Sequence, residues 1–102
     1  MVIRIWRAEA TPEGAEKYRR HFTDTVVPEL RRIAGFVKAD LLTRQHYDEV
    51  SIEVHTFWDS LDAIRGFAGE DIGAAVVEPE AQEAVIGYDD TVTHFDVQEF
   101  GK

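Results

Sequence analysis

The stretch EVSIEVHTFWDSLDAIRGFAG, Glu49–Gly69, limits what this chain can fold into more than any other part of the sequence. Val50, Ile52 and Val54 alternate with polar residues. That period of two is typical of a β-strand with one buried face. We therefore predict a strand over Glu49–Trp58 that needs a second layer to cover its apolar side.

The same stretch supplies that layer. Asp59 or Ser60 can begin a helix by accepting a hydrogen bond from a free backbone N–H. Leu61, Ile64 and Phe67 then follow at helical spacing, and a glycine comes directly after this run. A half-buried strand that leads directly into an amphipathic helix predicts a helix packed on a sheet.

Similar patterns define the rest of the chain. The other predicted elements are a strand over Val2–Ala10, a helix from the capping residue Thr11 to Gly35, a strand over Phe36–Arg44, a helix over Pro79–Ile86 and a strand over Thr91–Phe100. Pro28 lies inside the long helix and lacks a backbone donor, so we expect a kink or break there. The predicted connections are a loop at Gln45–Asp48, an irregular segment at Glu70–Val77 and a turn at Gly87–Asp90.

The order β-α-β-β-α-β predicts an α+β, ferredoxin-like fold in a single domain over residues 1–102. Right-handed crossovers place the strands in the antiparallel order 4-1-3-2. Both main helices then cover one face of the sheet and leave the other face without a layer.

The alternation along the strands predicts which residues each face carries. The face expected to contact the helices is apolar and contains Ile3, Ile5, Ala39, Leu41, Val50, Ile52, Val54, Phe95 and Val97. The other face mixes charged, histidine and aromatic side chains, namely Arg4, Trp6, Lys38, Asp40, Leu42, Glu53, His55, Phe57, His94, Asp96 and Phe100. Large apolar side chains on a sheet face usually contact a partner. We therefore predict a homodimer formed by sheet-on-sheet packing, with an interface that contains Arg4, Trp6, Glu53, His55, His94 and Asp96.

Charge and composition exclude several classes of protein. The formal net charge is −9 at pH 7 and the basic residues are scattered, so we expect no binding to nucleic acid or to an anionic membrane. No apolar run approaches the ~18 residues of a membrane-spanning helix, and the first residues show no signal-peptide pattern. The sequence has no cysteine, which excludes thiolate chemistry and disulfides. A cytoplasmic location is expected.

Two histidines and two carboxylates raise the question of a metal site. His55 and His94, with Glu53 and Asp96, have the composition of a two-histidine, one-carboxylate site. In the order 4-1-3-2, however, the third and fourth strands lie about 10 Å apart, which is twice the strand spacing. We therefore predict no metal and favour a network of ion pairs and hydrogen bonds, in which Arg4 can reach a carboxylate.

Three stretches carry a resemblance to a known family. They are Val26–Leu30 leading to Gly35-Phe36, then Phe57–Ser60 with Ala63 and Phe67, and finally Val92–Val97. With these motifs in this order, the chain resembles the antibiotic-biosynthesis-monooxygenase-like family of dimeric α+β barrels over nearly its whole length. The resemblance implies a two-subunit barrel with a pocket between the sheet and the helices of each monomer.

The resemblance also bears on chemistry. Some members oxygenate polyketide-like or quinol substrates with no metal or flavin, because the substrate's own enolate or phenolate supplies electrons to dioxygen. Others cleave haem with an Asn, a Trp and a His. This chain contains no Asn, and alignment on Phe57–Ser60 places Phe67 at the position of that Trp and Val77 near that of the His. We therefore expect no haem degradation and no cofactor.

The candidate site lies where the long helix meets the strand–helix stretch. Tyr18, His21 and Phe22 share one helical face. His21 is the candidate catalytic residue, because a neutral imidazole with a pKa near ~6.5 can accept a proton from a phenol. Tyr18, Phe22, Trp58 and Phe67 are the candidate substrate-binding residues. The alternatives are a surface histidine at position 21 and ordinary core packing for Trp58 and Phe67.

Two functions therefore stay open. The first is a cofactor-independent monooxygenase that acts on an aromatic or apolar molecule. The second is a non-catalytic small-molecule-binding or accessory protein of the same fold, favoured by the missing Asn and the lack of a strong acid–base pair. The monooxygenase hypothesis requires a cavity that holds at least a small ring.

Overall fold

The structure is a computed structural model that describes residues 1–101. Its elements are β1 (Val2–Ala10), α1 (Pro12–His21), a π-helical turn (Phe22–Val26), α2 (Val27–Leu30), β2 (Phe36–His46), β3 (Glu49–Trp58), α3 (Leu61–Ala68), α4 (Pro79–Ala84), β4 (Gly87–Tyr88) and β5 (Thr93–Asp96). The strands form one antiparallel sheet in the order β2-β3-β1-β4, and β5 also pairs with β1. This confirms the predicted α+β, ferredoxin-like fold and its order 4-1-3-2, with β4 and β5 together forming the fourth strand.

The predicted long helix is interrupted one turn before the expected position. Pro28 cannot donate to the carbonyl of Asp24, and the chain responds with a π-helical turn over Phe22–Val26. There the N–H of Val27 donates to the carbonyl of Phe22, five residues back. Pro28 itself lies in the first turn of α2, where its missing N–H costs nothing. No helix within residues 1–101 is long and apolar enough to cross a membrane.

The β2–β3 hairpin is longer and tighter than expected. β2 continues to His46, so the predicted loop over Gln45–Asp48 is a two-residue turn at Tyr47-Asp48. Tyr47 adopts a positive φ of 54°, which a two-residue hairpin turn of the primed type requires.

The fourth strand is split, which corrects two predictions. Gly87-Tyr88 was expected in a turn but forms β4 against Ala8 and Glu9 of β1. The expected strand over Thr91–Phe100 is reduced to β5. Between them, residues 90–92 bond instead to the segment after α3, through Ala75 N–H to the Asp90 carbonyl (2.8 Å) and Val92 N–H to the Gly73 carbonyl (2.9 Å). The competing backbone partner draws this part of the chain out of the sheet.

The strand register corrects the predicted assignment of faces. Residues directly opposite each other in an antiparallel sheet point to the same side. Trp6 pairs with Val54, and Arg4 pairs with both Thr56 and His94. Val54 and Thr56 are buried on the helix side of the sheet, and Trp6 packs there against α1. Arg4, Trp6 and His94 therefore lie on what we call the covered face.

The opposite face, which no helix of residues 1–101 covers, is called the open face; it contains Ile3, Ile5, Glu53, His55, Phe57 and Phe95. Asp96 pairs with Val2 and belongs to the covered face. The predicted positions of Arg4, Trp6, His94 and Asp96 on the uncovered side were wrong, as were those of Ile3, Ile5 and Phe95 beneath the helices. The placement of Glu53 and His55 agrees with the prediction. The error arose because both faces of β1 carry large apolar side chains.

The core is divided into two clusters on the covered face. The larger cluster joins β1 and β3 to α1, the π-helical turn and α4, and its large side chains are Trp6, Tyr18, Phe22, Ile52 and Val54. The smaller cluster contains Val2, Leu30, Trp58 and Ile64, three of which are fully buried. Between these clusters and the segment after α3 lies the candidate site.

Candidate functional site

A small cavity lies between the covered face and the helices. Its volume is about 50 Å³. Tyr18, His21, Phe22 and Phe67, four of the five residues predicted for the site, line it. Trp58 does not line the cavity, because it is fully buried in the smaller cluster, where its ring lies 6.2 Å from that of Phe67. For Trp58, the structure agrees with the alternative of ordinary core packing.

Local sequence signals hold α1 in place over the sheet. The Thr11 hydroxyl accepts a hydrogen bond from Gly14 N–H at 3.0 Å and caps the helix. Gly14 also allows α4 to approach closely, since a Cβ at this position would overlap the carbonyl oxygen of Ala84. His21, the last residue of α1, is thereby brought opposite Glu78, which directly precedes α4.

The His21 side chain is buried but has no hydrogen-bond partner. It is 8% exposed, and its Nε2 atom lies 3.7 Å from Glu78 Oε1, which is beyond hydrogen-bond distance. Nε2 is the one buried side-chain polar atom within residues 1–101 that lacks a partner. Leaving a buried polar group unpaired costs about 1–3 kcal/mol, so this nitrogen does not stabilise the fold.

Aromatic rings form the wall beside His21. Tyr18 lies 5.7 Å from Trp6 and 6.1 Å from Phe22, measured between ring centroids. Burial, and secondarily the negative charge of Glu78, raise the pKa of Tyr18 well above its usual range. Tyr18 is therefore a neutral phenol at physiological pH and part of the aromatic wall of the cavity.

Arg4 is the positive charge of the cavity wall. It is 4% exposed, yet none of the ion pairs found within residues 1–101 includes it. Its guanidinium donates instead to the carbonyls of Ile72 at 2.6 Å and Ala74 at 2.8 Å, and lies 5.7 Å from the ring centroid of Phe67. Burial lowers the pKa of Arg4 to about 10, so the group stays charged at neutral pH.

His94 contacts the same guanidinium. Arg4 Nη1 lies 3.3 Å from His94 Nε2, and since arginine can only donate, Nε2 must accept and carry no proton. Burial, and then the charge of Arg4, lower the pKa of His94. A neutral His94 on the covered face is therefore part of the support for Arg4.

The remaining predicted residues lie on the open face. His55 Nε2 and Glu53 Oε1 are 2.7 Å apart, and this hydrogen bond, followed by the charge of Arg7, lowers the pKa of Glu53. Arg7 Nε also lies 3.2 Å from Glu53. For Glu53 and His55, this agrees with the predicted network of ion pairs and hydrogen bonds. His55 and His94 lie on opposite faces, so they cannot share a metal within one chain.

The sequence analysis missed the two charged residues of the cavity wall, Arg4 and Glu78, and it also placed Trp6 on the opposite face. The sequence analysis assigned Arg4 to the other face, although Trp6, Ala8 and Ala10, which share a face of β1 with Arg4, are all apolar. Glu78 follows the segment that was predicted to be irregular, and no local pattern connects it to His21. Together with His21 and Phe67, they give an apolar cavity with a proton acceptor and a buried cation, which suits a weakly acidic organic molecule.

Solved structures of other proteins share this fold. A Bacillus cereus protein of the antibiotic biosynthesis monooxygenase type superposes with a TM-score of 0.66 at 14% identity, over 98% of this chain and 97% of its own. The haem degrader MhuD of Mycobacterium tuberculosis superposes with a TM-score of 0.63 at 22% identity, over 99% of this chain and 100% of its own. SnoaB, a cofactor-independent oxygenase from Streptomyces nogalater, superposes with a TM-score of 0.58 at 16% identity, over 97% of this chain and 95% of its own.

Sequence comparison adds the family. No functionally curated protein is significantly similar to this chain in sequence. The model of the family described as antibiotic biosynthesis monooxygenase matches residues 1–79, which include β1 through α3 and the wall of the cavity from Arg4 to Glu78. The chain belongs to the antibiotic biosynthesis monooxygenase family.

Proposed function

We propose that this chain is a cofactor-independent monooxygenase that acts on an aromatic or apolar molecule of the polyketide or quinol type. Family membership supports the reaction class, and SnoaB, a cofactor-independent oxygenase, has the same fold. The observation that carries the proposal is His21: its buried, unpaired Nε2 belongs to the wall of an otherwise largely apolar cavity. Haem cleavage is not proposed, because the chain has no Asn and has Phe67 and Val77 at the positions described above.

The proposed reaction begins with a proton transfer. His21 Nε2 accepts a proton from the acidic C–H or O–H of the bound substrate, and the positive charge of Arg4 stabilises the resulting anion. The anion then gives electrons to dioxygen, and a C–O bond forms. For an anthrone, one oxygen atom stays on the ring carbon as a carbonyl, and the other leaves as water with both hydrogens of that carbon.

Substrate entry requires the wall to move. The cavity has about 50 Å³, whereas a protein cavity that binds benzene has roughly 150 Å³. As it stands, the cavity therefore does not hold a ring, so the requirement set for an oxygenase in the sequence analysis is not met by this conformation. The movable part of the wall is the irregular segment that precedes Glu78, and it supplies Val76. Its ties are the two hydrogen bonds from Arg4 and its backbone bonds to residues 90–92. We propose that this segment swings outward to admit substrate.

The protein is further proposed to be a homodimer that buries its open face. Phe95 and Leu42 are 55% and 43% exposed, and both lie on this face, as do Ile3 and Phe57. Sedimentation at micromolar concentration should give a dimer for the wild type and a monomer for Phe95→Glu. Tyr47→Glu is the control, because Tyr47 is 98% exposed at the hairpin turn. A wild-type monomer would contradict the dimer.

The function is tested by turnover. The protein is incubated with an anthrone and with a hydroquinone under oxygen. The products that have gained one oxygen atom, an anthraquinone and a hydroxyquinone, are followed by absorbance and by mass against buffer and against an argon control. Faster oxygen-dependent product formation supports the monooxygenase. Saturable binding of these molecules without turnover would support the second candidate, a binding or accessory protein. A cytoplasmic location stays a prediction, tested by fractionation.

A further inference from the structure

We propose that His21, Glu78 and Glu80 form a binding site for one divalent transition-metal cation such as Zn²⁺. One ring nitrogen of His21 and one oxygen of each carboxylate lie within 4.8 Å of one another. One imidazole and two carboxylates are a ligand set that suits Zn²⁺ and its neighbours in the first transition row. This inference concerns binding and does not depend on the oxygenase activity.

The unpaired nitrogen is the observation that points to a ligand. His21 is more than nine-tenths buried, and Nε2 meets no donor or acceptor within residues 1–101. If the His21 side chain served only to fill space, a leucine would stabilise the fold more, because it has no buried polar atom to leave unpaired. A nitrogen that is directed toward Glu78 and held without a hydrogen bond is instead ready to coordinate a cation.

The spacing requires only a small adjustment. Ligand atoms about 2.1 Å from a tetrahedral ion lie roughly 3.4 Å from one another. Nε2 and Glu78 Oε1 are already 3.7 Å apart. Glu80 is exposed, so its side chain can close the remaining gap, at most about 1.4 Å from the tetrahedral spacing, without disturbing the core.

The backbone holds the two carboxylates at this position. Gln82 donates from its side chain to the Val77 carbonyl at 2.9 Å and from its backbone to the Glu78 carbonyl at 3.0 Å. The close contact of Gly14 with Ala84 fixes α4 against α1. His21 and the two glutamates thus come from two elements that are locked together, as a preorganised site requires.

The local charge also favours a cation. Within residues 1–101, neither Glu78 nor Glu80 forms an ion pair with a lysine or arginine, and their one basic neighbour in the set is His21. A divalent ion would neutralise both carboxylates and use the free nitrogen. It would also occupy the atom proposed as the base, so Zn²⁺ should inhibit turnover while bound.

Calorimetric titration with Zn²⁺ tests the site on chelator-treated protein. We expect one equivalent to bind, with affinity lowered at least tenfold in His21→Gln and in Glu78→Gln, since even outer partners of metal ligands are worth 10–100-fold. Glu83→Gln is the matched control, because Glu83 is an exposed glutamate of the same helix outside the cluster. Failure of the wild type to bind Zn²⁺, or equal loss in Glu83→Gln, would overturn the proposal.

A second readout uses the wild-type chain alone, so it holds even if a variant folds poorly. The chain has four histidines, whose ring nitrogens can be followed by ¹⁵N NMR during the titration. The proposal requires a shift at Nε2 of His21 as the first equivalent binds. A first shift at His46, His55 or His94 would place the ion elsewhere and refute this site.

Discussion

Arg4 and His21 are both buried polar residues of the cavity wall, and they differ in how their hydrogen-bonding groups are used. Arg4 makes two short hydrogen bonds to carbonyls and also contacts His94. His21 Nε2 makes none, and Glu78 stays 3.7 Å away. A satisfied polar group rigidifies a fold, whereas an unsatisfied one reduces its stability. Arg4 therefore holds the wall together, whereas the Nε2 atom of His21 contributes no hydrogen bond to the fold and is available for the roles proposed above.

The largest expected effect is on activity at His21. His21→Gln removes the proton acceptor, and general-base catalysis contributes about 10²–10⁴-fold, so kcat/KM should fall by that factor. The measurement is steady-state turnover of an anthrone that the wild type oxidises. His46→Gln is the control, because His46 is exposed at the end of β2. If His21→Gln keeps the wild-type kcat/KM, His21 is not the base.

The next effect is on stability at Arg4. Arg4→Met leaves the carbonyls of Ile72 and Ala74 without their donor, which should lower the free energy of unfolding by about 2–3 kcal/mol. Urea denaturation measures it. Arg7→Met serves as the comparison, since Arg7 is exposed and its ion pair with Glu53 is worth under about 1 kcal/mol. A stability for Arg4→Met that equals or exceeds the wild type would mean that burying the charge costs more than its hydrogen bonds return.

A smaller effect of the opposite sign is expected at His21. His21→Leu replaces an unpaired buried nitrogen with apolar atoms of similar volume, which should raise the free energy of unfolding by about 1 kcal/mol. The same denaturation experiment applies. A loss of stability would show that the imidazole contributes to the fold, and the contrast with Arg4 would fail.

The smallest effect is the pH dependence from His94. Its pKa is lowered in the folded protein, so below pH ~6.5 the unfolded chain takes up a proton that the folded chain resists. Stability should therefore decrease as the pH falls from about 6.5, and His94→Gln should reduce this decrease. The free energy of unfolding at pH 7.5 and 5.5 is compared in the two proteins. If the free energy of unfolding decreases equally in the two proteins, the contact of His94 with Arg4 does not contribute to the pH dependence of stability.

Much of the fold could be predicted from the sequence, because local signals agree with it. The alternation of β3, the Ser60 cap of α3 and the Thr11 cap of α1 all occur where the residues indicate. The assignment of faces failed at β1, where Ile3 and Ile5 compete with Trp6 for the core. Arg7 and Glu9 lie on the same face of β1 as Ile5, whereas Arg4 is the one charged residue on the other face. This difference in charge was the signal that could have assigned the two faces correctly.

Only the residues of the candidate site that lie on one continuous helical segment could be predicted together from the sequence. Tyr18, His21 and Phe22 share a helical face, and the structure brings all three to the cavity. Arg4 and Glu78 reach the same cavity from β1 and from the segment before α4, through contacts between residues far apart in sequence. The partner of residues 73–75 is likewise distant, so the split of the fourth strand could not be derived from local pattern.

The proposed oxygenation is tested most directly with labelled dioxygen. The protein and an anthrone are incubated under ¹⁸O₂ without added metal or flavin, and both the rate and the product mass are measured. We predict a rate well above that in buffer, with one ¹⁸O atom in the new carbonyl and the other in water. A rate no higher than the spontaneous oxidation, or a carbonyl oxygen derived from solvent, would contradict it.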